Sequence, residues 1–230
     1  MKKHLPNFFT LLNLTLGGLG AIWALQGYLT HAALCLWLGA VCDFLDGLLA
    51  RLFQTHSPLG VQLDSLADLM TFGWLPASIM YQLIGQYTTS PLPYIALLLP
   101  IFAALRLARF NLDNRQQYTF SGLPTPAQGL FISTLPCILA ANKYPWLTTW
   151  LARPYPLALL VVLLAILMVA PIRLTAFKFT THGWQPNRLR YTLLLATILL
   201  TLLFQAEGLA LSLLVYIATA AYTTPKSPKH

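Results

Sequence analysis

The stretch Asp43-Phe44-Leu45-Asp46-Gly47-Leu48-Leu49-Ala50-Arg51, followed after eight residues by Gly60-Val61-Gln62-Leu63-Asp64-Ser65-Leu66-Ala67-Asp68, decides how this chain is read. It holds four of the six acidic residues in the sequence, all within apolar runs. Asp43 and Asp46 are three apart and Asp64 and Asp68 four apart, so each pair shares one helix face. A short turn near residue 55 joins the two runs. Counting outward from it at about 1.5 Å per residue, Asp46 and Asp64 reach equal depth, roughly 13 Å in, with Asp43 and Asp68 one turn deeper. One helical hairpin thus gathers four carboxylates.

The surrounding chain is a membrane protein's. Of its 230 residues 57% are hydrophobic and 9% charged, against about 25% charged in a soluble domain. Too few polar side chains remain to cover a water-facing surface, and a bilayer resolves the deficit. Apolar runs fall near residues 8–27, 31–53, 59–86, 92–110, 126–142, 156–172, 190–205 and 208–222. They predict an all-α, polytopic transmembrane bundle of about eight helices, forming one membrane-embedded domain over 1–230. The N-terminal Met1-Lys2-Lys3 and apolar run look like a signal peptide without a small-residue cleavage site, and read as a retained first helix.

The net charge of +8 is scattered between the apolar runs, which argues for a topology signal and against a nucleic-acid patch. With the N-terminus inside, Lys2, Lys3, Arg51, Arg106, Arg109, Arg115, Arg173, Lys178, Arg188, Arg190, Lys226 and Lys229 all face the cytoplasm. Only Lys143 and Arg153 face outward. Both termini and the carboxylate hairpin are therefore expected on the cytoplasmic side of a bacterial-type inner membrane. The cysteines Cys35, Cys42 and Cys137 lie irregularly in apolar runs and read as small buried residues.

A carboxylate within a spanning helix costs roughly 2.5–3.5 kcal/mol even on the lenient insertion scale. Four together need a compensating partner, and the nearby base is Arg51 alone. Hard oxygen ligands suit Mg²⁺ or Mn²⁺, and a shared carboxylate makes a pair of ions about 3.5–4 Å apart feasible. A proton relay or ion pathway is the competing reading of the carboxylates alone. Gly47, Ala50 and Gly60 leave a shallow groove for a ligand, or serve close helix packing. Arg51 either snorkels to the boundary or meets a phosphate.

Taken in order, Asp43-x-x-Asp46-Gly47-x-x-Ala50-Arg51, eight residues, Gly60-x-x-x-Asp64-x-x-x-Asp68 resembles the signature of the CDP-alcohol phosphatidyltransferases at every defining position. Eight specified residues at that spacing arise by chance at on the order of 10⁻¹⁰ per start position. The resemblance implies that a CDP-activated lipid passes its phosphatidyl group to an alcohol and releases CMP. It further implies that Asp43, Asp46, Asp64 and Asp68 hold metal, with Asp68 also acting as base; spacing alone does not separate Asp68 from Asp64 in that role.

Within this family the chain is similar to the integral-membrane phosphatidylserine synthases in three further places. These are Pro6-Asn7-x-x-Thr10-x-x-Asn13; Arg106-Leu107-Ala108-Arg109-Phe110-Asn111 with Gly122-Leu123-Pro124-Thr125-Pro126; and Pro171-Ile172-Arg173 with Phe177-Lys178. The resemblance spans most of the first 180 residues and implies CDP-diacylglycerol as donor, L-serine as acceptor, and a homodimer. Asn7, Thr10 and Asn13 share one helix face, for the CDP-lipid or for packing. Arg106 and Arg109 suit the serine carboxylate, which arginine grips bidentately, or set topology. Arg173 and Lys178 suit a phosphate, or again topology. Glycerol 3-phosphate, inositol phosphate and choline are the rival acceptors. The unrelated phosphohistidine-type synthases are excluded, because no His-x-Lys-x4-Asp occurs. An ion or proton transporter would spread charges over both halves of the bundle, whereas here Glu207 at a predicted outer turn and Asp113 in a cytoplasmic loop stand apart from the hairpin.

Overall fold

The computed structural model describes residues 4–55, 57–112, 120–170, 173–174 and 184–222. It is a helical membrane bundle in which helices run over every expected apolar segment. Helix α1 spans Leu5–Leu25 and α2 spans Leu29–Leu52. After the turn come α3 (Pro58–Asp68), a π-helical stretch Leu69–Trp74 and α4 (Leu75–Gly85), continuous in direction. A 3₁₀ segment Leu92–Leu97 leads into α5 (Leu98–Leu112). Then follow α6 (Thr125–Ala141), the short α7 (Pro145–Leu151), α8 (Pro154–Val169) and α9 (Trp184–Tyr222).

Leu5–Leu25, Leu29–Leu52 and Leu92–Leu112 are each long and apolar enough to cross a bilayer; α7 and α8 reach that length and apolarity only together, as a pair bent by 77° that forms a broken span or a re-entrant loop. Pro145–Leu151 forms a short helix between the expected apolar runs 126–142 and 156–172. The two runs expected over 190–205 and 208–222 are both helical: α9 consists of two helical halves that meet at a break at Gln205 (φ 52°, ψ −123°).

Local chemistry sets the boundaries. Prolines occupy the first turns of α1, α3, α6, α7 and α8, where the missing N–H costs nothing. Ser57 caps α3, its Oγ accepting the Gly60 N–H at 3.0 Å. Asn142 ends α6 in the left-handed region.

The core centres on the π-helical stretch and α4: Phe72, Leu75, Ile79, Met80, Leu83 and Ile84 are fully buried, against Leu36, Leu99, Ile132, Leu157 and Met168 from four other helices. Close approach depends on small residues. A Cβ on Gly17 or Gly39 would overlap Thr71, and one on Gly20 would overlap Leu75 and Cys35. Large side chains such as Phe8, Ile22, Val41, Phe44, Ile101 and Leu163 point outward, as suits a surface solvated by lipid.

Among the described residues, one short antiparallel bridge accompanies the helices, pairing Phe120 with Leu174 and Ser121 with Arg173. Beside it Gly122 has φ 83°, and a Cβ there would collide with the Met168 carbonyl. The Leu123 N–H donates to Leu167 O at 2.8 Å. The Gly122–Pro126 motif is thus pinned to the end of α8, directly after Ser121, whose backbone pairs with Arg173.

Candidate active site

Antiparallel α1, α2 and α3 present the polar residues of the first helix to both halves of the acidic hairpin. Ligand oxygens of Asp43, Asp64 and Asp68 all lie within 4.8 Å of one another. Asp46 stands outside that trio and is buried. Three of the four carboxylates expected to cluster thus lie within 4.8 Å of one another, and Asp46, on the same hairpin, borders Thr10 of α1.

A cleft of 140 Å³ opens between the N-terminal turns of α1 and α3 and the last turns of α2. Its walls include Asn7, Thr10, Asp46, Gly47, Ala50, Gly60 and Asp64, all expected from the sequence. Pro6, Thr55, Ser57 and Val61 also line it. Pro6 belongs to the motif at the head of α1, whereas Thr55, Ser57 and Val61 were missed, although Thr55 and Ser57 fall in the unspecified spacer that must close the hairpin. Asp46 and Asp64 reach the cleft while Asp43 and Asp68 are absent from its lining, in keeping with the one-turn difference in depth. A Cβ on Gly47 would meet nothing within 4 Å, so this position opens into the cleft. One on Gly60 would come within 3.4 Å of Asn7 Oδ1, which keeps the opposite lip narrow.

Asn13, expected on the same ligand face as Asn7 and Thr10, does not line the cleft. It is fully buried beneath the carboxylates. Its Oδ1 lies 2.9 Å from where a Gly39 Cβ would stand, and its carbonyl accepts the Thr71 hydroxyl at 2.9 Å. Gly39 is one turn below Asp43 on α2, and Thr71 lies in the π-helical stretch that begins directly after Asp68. Such stretches concentrate at functional sites, and nothing in the apolar pattern announced this one.

Arg51 is exposed and folds back along α2, its Nε donating to Gly47 O at 3.0 Å. On α5, Arg106 is half-buried and donates through Nη1 to Thr125 Oγ1 at 2.7 Å, while Arg109 is exposed. Gly73 faces Pro100 and Ala103, and Asn111 Nδ2 donates to Ser65 Oγ at 2.9 Å. Between these two contacts Arg106 comes to the depth of Asp68 on the facing helix. Neither arginine lines the cleft. Arg173 is described through its backbone bridge to Ser121, and Lys178 lies outside the described residues. Gln128 on α6 was given no role; it is fully buried with both amide atoms unpartnered, next to Gly129, which abuts Phe72.

The carboxylates suit a hard divalent cation. Asp46 Oδ2 and Asp68 Oδ1 are buried without a hydrogen-bond partner, and Asp68 converges with Asp43 and Asp64 as an all-oxygen donor set. Low-dielectric surroundings make such orphan oxygens costly unless a cation satisfies them.

Three carboxylates on one helical hairpin thus converge beside a cleft between the first three helices of a membrane bundle, an arrangement that could hold a divalent cation. The chain belongs to the CDP-alcohol phosphatidyltransferase family, whose model matches residues 3–203. It is 35% identical over 175 residues to the CDP-diacylglycerol–serine O-phosphatidyltransferase of Helicobacter pylori (strain ATCC 700392 / 26695), covering 75% of this chain and 72% of that protein. The protein of the same name from Bacillus subtilis (strain 168) is 34% identical over 181 residues, or 76% of this chain and 92% of that one. That from Saccharomyces cerevisiae is 34% identical over 140 residues, or 54% of this chain and 50% of the yeast protein.

Proposed function

We propose that this enzyme transfers the phosphatidyl group of CDP-diacylglycerol to the hydroxyl of L-serine, giving phosphatidylserine and CMP. The observation that carries the reading is the convergence of Asp43, Asp64 and Asp68 within 4.8 Å, next to a cleft that Asp46 and Asp64 share with Gly47 and Gly60. The names and extents of the bacterial relatives support serine as acceptor.

In this reading Asn7, Thr10, Gly47, Ala50, Arg51 and Gly60 receive the cytidine diphosphate part of the lipid, whose chains stay in the bilayer. Asp43, Asp46, Asp64 and Asp68 hold two ions of Mg²⁺ or Mn²⁺, which when bound neutralise the diphosphate oxygens. Asp68 accepts the proton as the serine oxygen bonds to the lipid-side phosphorus and the bond to the CMP oxygen breaks. Arg106, level with Asp68, is the first candidate for the serine carboxylate, with Arg109 behind it. Asn13 supports the carboxylates from below rather than touching the nucleotide. Arg173 and Lys178 supply positive charge for phosphate. The basic-residue distribution supports a cytoplasm-facing site, and a homodimer is the assembly the family resemblance implies.

The acceptor is tested with membranes containing the enzyme, CDP-diacylglycerol, Mn²⁺ or Mg²⁺, and labelled serine, glycerol 3-phosphate, inositol phosphate or choline in turn. CMP release with serine alone is expected. Equal or faster release with another acceptor contradicts the reading, and activity unchanged by a chelator removes the metal site.

A further inference from the structure

At the end of the bundle opposite the carboxylates, a cavity of 480 Å³ lies between α6, α7, α8 and the break in α9. Its lining is apolar and aromatic, including Phe131, Tyr144, Trp146, Trp150 and Phe204, except for the single carboxylate of Glu207. Glu207 is buried, and its Oε1 has no hydrogen-bond partner. An ionisable group held in an apolar membrane site marks function unless a partner is present. A cation is nearby but engaged otherwise: Lys143 Nζ stands 5.6 Å from the Tyr144 ring centre and 5.9 Å from that of Phe204, a cavity residue. Trp146 and Trp150 are largely exposed, as interfacial aromatics are.

We infer that this cavity is a binding site for a glycerophospholipid bearing a primary ammonium headgroup. The volume lies in the range of small-molecule sites, and its apolar walls suit the upper part of an acyl chain. A primary ammonium donates N–H to the orphan Glu207 oxygen, which a quaternary choline has no hydrogen to do. The lipid phosphate, a few bonds away, meets Lys143 at the rim. Opposite charges on the protein thus match opposite charges on one zwitterionic headgroup, and an anionic lipid without an amine would leave Glu207 unanswered.

The test uses the full chain purified in detergent and loaded with defined lipids, with retained lipid counted by native mass spectrometry. Phosphatidylethanolamine and phosphatidylserine form the two ammonium arms; phosphatidylcholine and phosphatidylglycerol are the controls. Retention of one ammonium lipid per chain, about tenfold over the controls, is expected, and the stronger of the two arms identifies the natural source. Glu207→Gln is expected to abolish the preference while serine-dependent CMP release persists, which separates this site from the catalytic one. Leu211→Trp, which fills the cavity, is expected to abolish retention of every lipid. Equal retention of all four lipids by the unaltered chain, meaning surrounding lipid only, overturns the inference whatever the variants do. So does a preference that survives Glu207→Gln.

Discussion

Asn111 Nδ2 donates a 2.9 Å hydrogen bond to Ser65 Oγ, and so ties the end of α5 to the helix that carries Asp64 and Asp68. Through it the Arg106–Asn111 motif and the acidic hairpin, far apart in sequence, share one register. A part-buried hydrogen bond of this kind contributes about 1 kcal/mol. Ser65→Ala and Asn111→Ala are each expected to lower kcat/KM about fivefold, with the double variant no worse than either single one. A double-mutant cycle on purified enzyme checks this; additive losses would show that the two residues act separately.

Two glycines on α2 separate ligand space from packing. Gly47 opens into the cleft, whereas a Cβ on Gly39 would come within 2.7 Å of Thr71 Cγ2 and 2.9 Å of Asn13 Oδ1. Gly47→Leu is expected to raise KM for CDP-diacylglycerol by at least about tenfold, since a side chain there enters the cleft, with Tm unchanged. Gly39→Ala is expected to lower stability by about 1–3 kcal/mol through overpacking. Thermal unfolding and steady-state kinetics on both variants check the contrast.

Asn13 lies under Asp43 and Asp68 and away from the cleft. Asn13→Ala is expected to raise the Mg²⁺ or Mn²⁺ concentration giving half-maximal activity about tenfold, leaving KM for the CDP-lipid within twofold of its starting value. Thr10→Ala, at the cleft wall, is expected to move the lipid KM instead. Metal titrations at saturating lipid, and lipid titrations at saturating metal, distinguish the two.

The hairpin was legible because its evidence is local. Carboxylates three and four apart, on either side of a proline-capped turn, have few places to go. Spacing fixes a helix face but not a rotamer, so it does not separate the trio Asp43, Asp64 and Asp68 from Asp46, which lines the cleft. The π-helical stretch after Asp68 was not legible, because one extra residue in a turn leaves the apolar pattern almost unchanged. Of the face that Asn7, Thr10 and Asn13 share, only Asn7 and Thr10 line the cleft, since residues three apart share a face while depth decides which of them meets a ligand. The pairing of Ser121 with Arg173 joins segments whose proximity is tertiary. Pro145–Leu151 is a helix too short for a span-length reading to find.

The central claim is that Asp68 takes the proton from serine within a metal-holding carboxylate site. Its most direct measurement is serine-dependent CMP release by Asp68→Asn, an isosteric change that keeps an oxygen donor and removes the base. The account requires a fall of at least about 10²-fold with CDP-diacylglycerol binding retained. Turnover at the starting rate in a folded Asp68→Asn enzyme would contradict it.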